Sequence, residues 1–353
     1  MTRHPFRSVR PSINRTMRRM VLQGCVLILP ALIVPPMIGA ASVNDVVKSF
    51  ESNKEYVKPF ATLFGSAANS GWNQSASIAR GFSFYLGMPI NLVQISDDDR
   101  TFKGSIPDNG CIAYHKDNPS GKTSCPESIG YTGQTIFGKG KGPTLSMHNY
   151  DLATKTVTPG IDTLTSDGLA GVAAMNWIPF GMPQIGISYY HTELKLRYIA
   201  LPLQVVSMSM PGFGLQHDFA WAMPNSPVHA SLAANWTLLS AEWTPGGDIS
   251  GKMKLDGSAA TYNALAGWTW KNWLEVFTEI GWETASLKSS GSLILNAKKS
   301  TAELVKPNLT MEGRNGFRMS LNLAFHLGYD AVLGQNIGAD FGNQVSVLAY
   351  RYK

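Results

Sequence analysis

The sequence predicts an all-β protein: an antiparallel transmembrane β-barrel of about 12–14 strands with a short N-terminal helical segment. Three observations support this prediction. The first residues have the pattern of an export signal, the chain contains long stretches in which apolar and polar residues alternate, and no later stretch has the eighteen or so apolar residues that a transmembrane helix needs. Because alternation places neighbouring side chains on opposite faces, it is typical of strands.

Residues 1–41 form the first element. Six arginines and no acidic residue accompany the apolar run MVLQGCVLILPALIV, and small residues follow it. This order predicts a secretory signal peptide cleaved after Ala41; a signal anchor is the alternative, disfavoured by the prolines. The chain has 30 Lys and Arg against 24 Asp and Glu. Removing six arginines leaves the mature chain neutral, which argues against a nucleic-acid partner.

Residues 42–78 carry the one clear helical pattern. Apolar residues recur at helical spacing as far as Gly65, where the helix is expected to end, and Pro59 is expected to divide it into two short helices. Two placements stay open: a plug inside the barrel, or helices on its rim. Three aromatic residues are candidate ligand contacts, with packing against the barrel as the alternative: Phe60, Phe64 and Trp72.

Residues 79–353 carry the strand pattern. In GFRMSLNLAFHLGY, residues 316–329, all fourteen positions obey the alternation. At about 3.3 Å per residue this stretch extends roughly 45 Å. Tilted by about 45°, it would cross the hydrocarbon core of a bilayer with its apolar face toward lipid. The opposite face of this and other strands is small or polar, and seven charged residues are predicted to face the lumen: Glu193, Lys195, Arg197, Glu275, Glu279, Glu283 and Arg318.

These lumen-facing charges have both signs. We expect them to pair across the lumen and hold the strand register, an interpretation that we prefer to ion selectivity. The glutamates at 275, 279 and 283 are about 13 Å apart along one strand. Because that spacing is too wide for joint acid–base catalysis, and no G-x-S-x-G motif occurs, we expect no enzyme activity.

Residues at about 97–180 form a large polar insertion that reads as a loop folded over the barrel mouth; fourteen strands are expected if it adds a pair to the barrel. It contains both cysteines of the mature chain, Cys111 and Cys125. In an exported protein such a pair predicts a disulfide. A metal site that includes His115 is the weaker alternative, so we expect no metal and no cofactor.

Several stretches, among them GFSFYLGMPINLV, GMPQIGISYYHTELKLRYIALPL and GFGLQHDF, resemble a family of uncharacterised bacterial outer-membrane proteins predicted to be β-barrels. That family is broadly similar to outer-membrane long-chain fatty-acid transporters. The resemblance implies a passive channel for hydrophobic small molecules such as fatty acids, with outer-membrane lipid and the barrel-assembly machinery as partners. The alternative is a structural or surface-interaction barrel that binds an external partner through its disulfide-closed loop.

Overall fold

The computed structural model describes residues 54–119, 125–140, 142–164, 176–202, 206–222, 226–244, 249–271, 273–295, 302–306, 308–313, 315–326, 330–337 and 343–347. The predicted signal peptide, the first part of segment 42–78 and the C-terminal residues 348–353 lie outside the described residues. No helix in the described ranges is long and apolar enough to cross a membrane.

The described chain is built mainly from strands. Its two α-helices are α1 (Lys54–Asn69) and α2 (Asn109–Asp117). The strands are β1 (Ser83–Gly87), β2 (Ile90–Gln94), β3 (Thr101–Pro107), β4 (Ser128–Gln134), β5 (Thr144–Asp151), β6 (Thr156–Leu164), β7 (Trp177–Gly181), β8 (Gln184–Tyr189), β9 (Thr192–Pro202), β10 (Val206–Asp218), β11 (Val228–Trp243), β12 (Ser250–Trp270), β13 (Leu274–Leu295), β14 (Glu303–Val305), β15 (Thr310–Glu312), β16 (Gly316–His326), β17 (Asp330–Ile337) and β18 (Asn343–Val347).

One fourteen-stranded antiparallel sheet dominates the structure, which confirms the all-β, antiparallel prediction. Its order is β1-β8-β9-β10-β11-β12-β13-β16-β17-β18-β2-β7, and the short strands β14 and β15 pair with β13. Of the strands in the predicted insertion, only β7 belongs to this order. Instead, β3 pairs with β4 and β5 with β6 as two separate hairpins, so the expected loop region is a folded subdomain whose strands stand apart from the main sheet.

The strands at the two ends of that order, β1 and β7, are each followed by another strand after a break of two residues. β1 and β2 are separated by Met88 and Pro89, and β7 and β8 by Met182 and Pro183. The ladder β1–β8 and the ladder β2–β7 share one register across both breaks. Because proline has no N–H, each Met-Pro step interrupts the hydrogen bonds without shifting the register. On its other side, β2 pairs with β18.

The two faces of the main sheet differ sharply in burial. Large apolar side chains on one face are exposed, for example Leu196 at 47% and Leu321 at 60%. On the other face, charged side chains such as Lys195 and Glu275 are fully buried. The alternation in the sequence is therefore kept in the structure, with the apolar parity outward and the polar parity inward.

The turn between β8 and β9 consists of two residues, Tyr190 and His191. Both have positive φ, 46° and 62°. Such a pair matches the right-handed twist of a hairpin and keeps the two strands in register. The turn adopts this conformation without a glycine.

Helix α1 corrects two expectations about the helical segment. It runs through Pro59 without a break and continues past Gly65 to Asn69. Proline at position 59 removes the hydrogen bond to the carbonyl of residue 55 and crowds that carbonyl, yet the described helix continues through it. Gly65 is buried within the helix. Packing against the sheet therefore outweighs its tendency to end a helix.

Candidate functional site

The chain after α1 runs as an extended segment along the buried face of the sheet. We call residues 69–78, Asn-Ser-Gly-Trp-Asn-Gln-Ser-Ala-Ser-Ile, the connector. The connector contains no ionisable side chain, yet it lies among the buried charges of the inner face. Its path and its anchors define the candidate site.

The three glutamates of β13 are successive anchors for the connector. At the start of the connector, the carbonyl of Asn69 accepts a hydrogen bond from Arg318 (2.7 Å), which lies 3.3 Å from Glu283. In its middle, Asn73 donates to Glu279 (2.9 Å). Four residues further along β13, Glu275 accepts a hydrogen bond from the backbone N–H of residue 76 (2.8 Å). The spacing that excludes joint catalysis thus suits an extended chain, which rises about 3.3 Å per residue.

The cations of β9 hold the connector from another side. Lys195 donates to the Asn73 side chain (2.5 Å), and Arg197 donates to the carbonyl of Ser70 (2.9 Å). Lys195 also lies 3.7 Å from Glu193. The structure therefore brings all seven predicted charges onto the buried face. Their bonds go to the connector as well as to one another, which differs from the expected pairing across the lumen.

Trp72 lies in a slot shaped for its indole ring. The guanidinium carbon of Arg197 is 3.9 Å from the ring centroid, and the indole N–H donates to the carbonyl of Ala68 (2.9 Å). A Cβ on Gly212 or Gly214 would come within 3.0–3.2 Å of the ring. Glycine at these two positions of β10 therefore leaves the room that the tryptophan ring needs to pack.

Five polar anchors were missed by the sequence analysis. Each lies on the buried parity of its strand and contacts the connector or the charges that hold it. They are Asn91, Gln184, Gln216, Asp218 and Asn263. The signal available in the sequence was their parity alone, because neutral amides at inner positions are common in polar interiors.

The candidate ligand contacts separate into two places. Phe64 is buried and Phe60 is partly buried in an apolar cluster that joins α1 to the sheet, with Met182, Met210 and Leu287 among its members. Trp72 is not part of that cluster and occupies the polar slot described above. These three aromatic residues thus do not line one pocket.

One connector residue, Gln74, has a buried side chain without hydrogen bonds among the described residues. The Gln74 side chain is buried, and neither its amide nitrogen nor its oxygen has a hydrogen-bond partner among the described residues. A buried unsatisfied polar group costs about 1–3 kcal/mol. The connector is therefore held by strong polar anchors but contains a local weakness.

The insertion is closed by the predicted disulfide. Cys111 and Cys125 are bonded, with their Cα atoms 5.4 Å apart. Next to it, the buried Asp108 caps α2 and accepts a hydrogen bond from the ring of His148 (2.7 Å). Burial raises the pKa of Asp108, but the hydrogen bonds from His148 and from the backbone N–H of Cys111 outweigh it and hold this pKa below its ordinary value.

A family model described as "Family of unknown function (DUF6588)" matches residues 17–346. No curated protein matches the chain at a significant level. Among solved structures, the Ralstonia pickettii toluene transporter TbuX is 9% identical, covering 84% of this chain and 80% of that chain with a TM-score of 0.28. A mutant Rhodopseudomonas blastica porin is 9% identical, covering 76% and 99%, with a TM-score of 0.11. Both TM-scores lie below 0.5, so these two structures support no conclusion about this chain.

Proposed function

The chain belongs to this family of unknown function, DUF6588, and from its own geometry we propose that it is an outer-membrane β-barrel channel whose lumen is closed by the connector. The observation that carries the proposal is the inverted burial of the main sheet. A soluble sheet buries its large apolar side chains and exposes its charges. This sheet does the opposite, as expected of strands with lipid outside and a polar interior.

The register supports a closed barrel. If β1 with β2 and β7 with β8 are each one strand with an interruption, the pairings return to their start through β18 and β2. The twelve strands of the main order then reduce to ten around the barrel. An even number of antiparallel strands is usual for bacterial outer-membrane barrels.

The outer face has an apolar band of the right length. Tyr262, Trp282 and Phe317 lie side by side in one cross-strand row, and Trp270, Leu274 and Phe325 lie in a second row. Each strand passes between the two rows in nine residues, and transmembrane β-strands need about 9–11. Aromatic residues at the edges of the band fit the membrane interfaces.

Beyond the first row the outer face becomes polar. β12 continues past Tyr262 to Ser250, and its exposed side chains there include Lys252 and Lys254, in ion pairs with Glu242 and Asp256. We propose that this extension stands outside the membrane. The sheet residues that pack on α1, such as Ala259 and Leu287, belong to the extension, whereas the connector continues down through the band.

Gating would follow from displacement of the connector. Its anchors are hydrogen bonds to the wall, Gln74 is unsatisfied, and the connector makes no covalent bond to the sheet within the band. When the connector moves aside, the space that it occupied becomes a polar passage. We therefore propose small solutes as the cargo of this path.

A second candidate cargo is the apolar class that the resemblance implies. The observation that favours it is the apolar cluster around α1 in the extension, which includes the buried Met182 at one of the two Met-Pro breaks. An apolar molecule could enter this cluster if α1 shifted. At the level of the band most described inner side chains are polar or charged, apart from a small apolar cluster that includes Leu265 and Phe277, so the first candidate is preferred.

Conductance of the full-length protein in planar bilayers tests the proposal. The double variant Trp72→Ala/Asn73→Ala, here called the loosened variant, removes the slot contact and the Asn73 anchors without changing the charge. We expect rare openings of the wild type and frequent openings of the loosened variant. If both insert, with a folded band that shifts on heating in gel electrophoresis, and neither conducts, the channel proposal is wrong.

A further inference from the structure

The inner face within and next to the band has an excess of carboxylates. Five buried carboxylate side chains lie there: Glu193, Asp218, Glu275, Glu279 and Glu283. Three buried cations accompany them: Lys195, Arg197 and Arg318. With every carboxylate counted as ionised and every histidine as neutral, the described inner wall has five negative and three positive side chains, a formal charge of −2.

The connector hides this charge without neutralising it. It contacts the carboxylates through neutral donors, such as the Asn73 amide on Glu279 and the backbone N–H of Ile78 on Asp218 (3.0 Å). Since residues 69–78 contain no charged side chain, displacing them removes hydrogen bonds but leaves the charge of the wall unchanged. The opened passage therefore keeps the net −2.

The ion pairs on the wall do not alter this sum. Arg318 lies next to Glu283, and Lys195 next to Glu193. Asp218 lies 3.9 Å from His191, which adds a positive charge only when it is protonated. In a narrow passage with low-dielectric walls, even a small excess of one sign is focused and raises the local concentration of the opposite ion.

We infer that the opened channel passes small cations in preference to anions. This inference rests on the proposed function and adds the class of solute to it. It also revises the earlier preference for bracing over selectivity: the wall charges brace the connector while the channel is closed and select ions once it is open. A cationic solute would exchange the donors of the connector for direct contact with the same carboxylates.

The test is the ratio of K⁺ to Cl⁻ permeability of the full-length loosened variant, measured from the reversal potential in a KCl gradient at pH 8, where histidines are neutral. We expect a ratio clearly above one. Adding Glu275→Gln and Glu279→Gln brings the wall to zero net charge and should lower the ratio to about one. Glu242→Gln, on the outer face of the extension, is the matched control and should leave the ratio unchanged.

The possible outcomes separate this inference from the proposed function. A conducting channel with a ratio at or below one overturns the cation preference and leaves the channel intact. A folded, inserted and non-conducting loosened variant overturns the channel itself. If the double glutamine substitution prevents folding, the ratio of the loosened variant decides alone, because it requires no change of charge.

Discussion

Replacing Arg197 with alanine should loosen the connector more than any other single change on β9. Arg197 donates to the carbonyl of Ser70 (2.9 Å) and to the side chain of Gln184 (2.6 Å), and it stacks on Trp72. Two charge-assisted hydrogen bonds contribute about 1.5–3 kcal/mol each. A desolvated cation–π contact adds about 2 kcal/mol.

The gross loss, roughly 5–8 kcal/mol, is offset because the variant no longer buries a guanidinium, which costs several kcal/mol. A net loss of about 2–3 kcal/mol remains. Since every 1.4 kcal/mol is a factor of ten, the open population of the connector should rise roughly 30- to 100-fold. The barrel wall should stay folded, because the backbone ladder of β9 is unchanged.

Hydrogen exchange measures this population directly. The backbone N–H groups of Ala76 and Ile78 donate to wall carboxylates. We expect their exchange to accelerate 30- to 100-fold in Arg197→Ala, and the exchange of β12 amides to stay as in the wild type. Lys271→Ala is the matched control, because it removes a cation–π contact, 4.7 Å to Trp270, from the outside of the sheet. Equal connector exchange in the two variants would refute the assignment of Arg197 as an anchor.

Three further predictions concern other parts of the molecule. Gly71→Ala should also speed connector exchange, since Gly71 has a φ of +66° and a Cβ would meet Asn91 Oδ1 at 2.8 Å; unchanged exchange there would contradict the packing described. Leu321→Arg should destabilise the barrel by about 2–4 kcal/mol in detergent unfolding, whereas Ser286→Arg, beyond the aromatic row, should cost about 0–1 kcal/mol; equal costs would argue against the membrane placement. Because its pKa is lowered, Asp108 should stabilise α2 above about pH 4 and lose this effect progressively as the pH falls further, so Asp108→Asn should increase exchange in α2 more at pH 7 than at pH 3, and a pH-independent difference would exclude the charge as the cause.

The parts of the fold that depend on local pattern could be predicted. Alternation in residues 316–329 indicated a strand with its apolar parity outward, and Leu321 and Phe317 are exposed while Arg318 is buried. The same rule placed Lys195 and Arg197 on the inner parity. The pairing of Cys111 with Cys125 was predicted from an expected export signal and from their even number, and the two cysteines are bonded. Each of these conclusions needs only neighbours in the sequence or the compartment of the protein.

The predictions that failed concern parts of the fold that depend on contacts between residues far apart in the sequence. The helix passes through Pro59 and Gly65 because α1 packs on β12, β13 and β15, which are more than 180 residues away in the sequence. The insertion forms its own hairpins, because β3 pairs with β4 and β5 with β6 and none of these four strands pairs with the main sheet. Local propensity cannot include either effect, since tertiary packing outweighs it.

By itself, the sequence determined which residues alternate, which face carries the charges and where the disulfide forms, because these follow from a two-residue period and from cysteine chemistry. Only the tertiary structure showed that those charged side chains bind the connector. Glu279 and Glu275 of β13 meet Asn73 and Ala76, and Glu283 reaches Asn69 through Arg318, so that the contacts to the connector join residues 199 to 249 positions apart in the chain. No local pattern encodes that meeting, because it depends on the register of every strand between β8 and β16 and on the path of the neutral connector inside them.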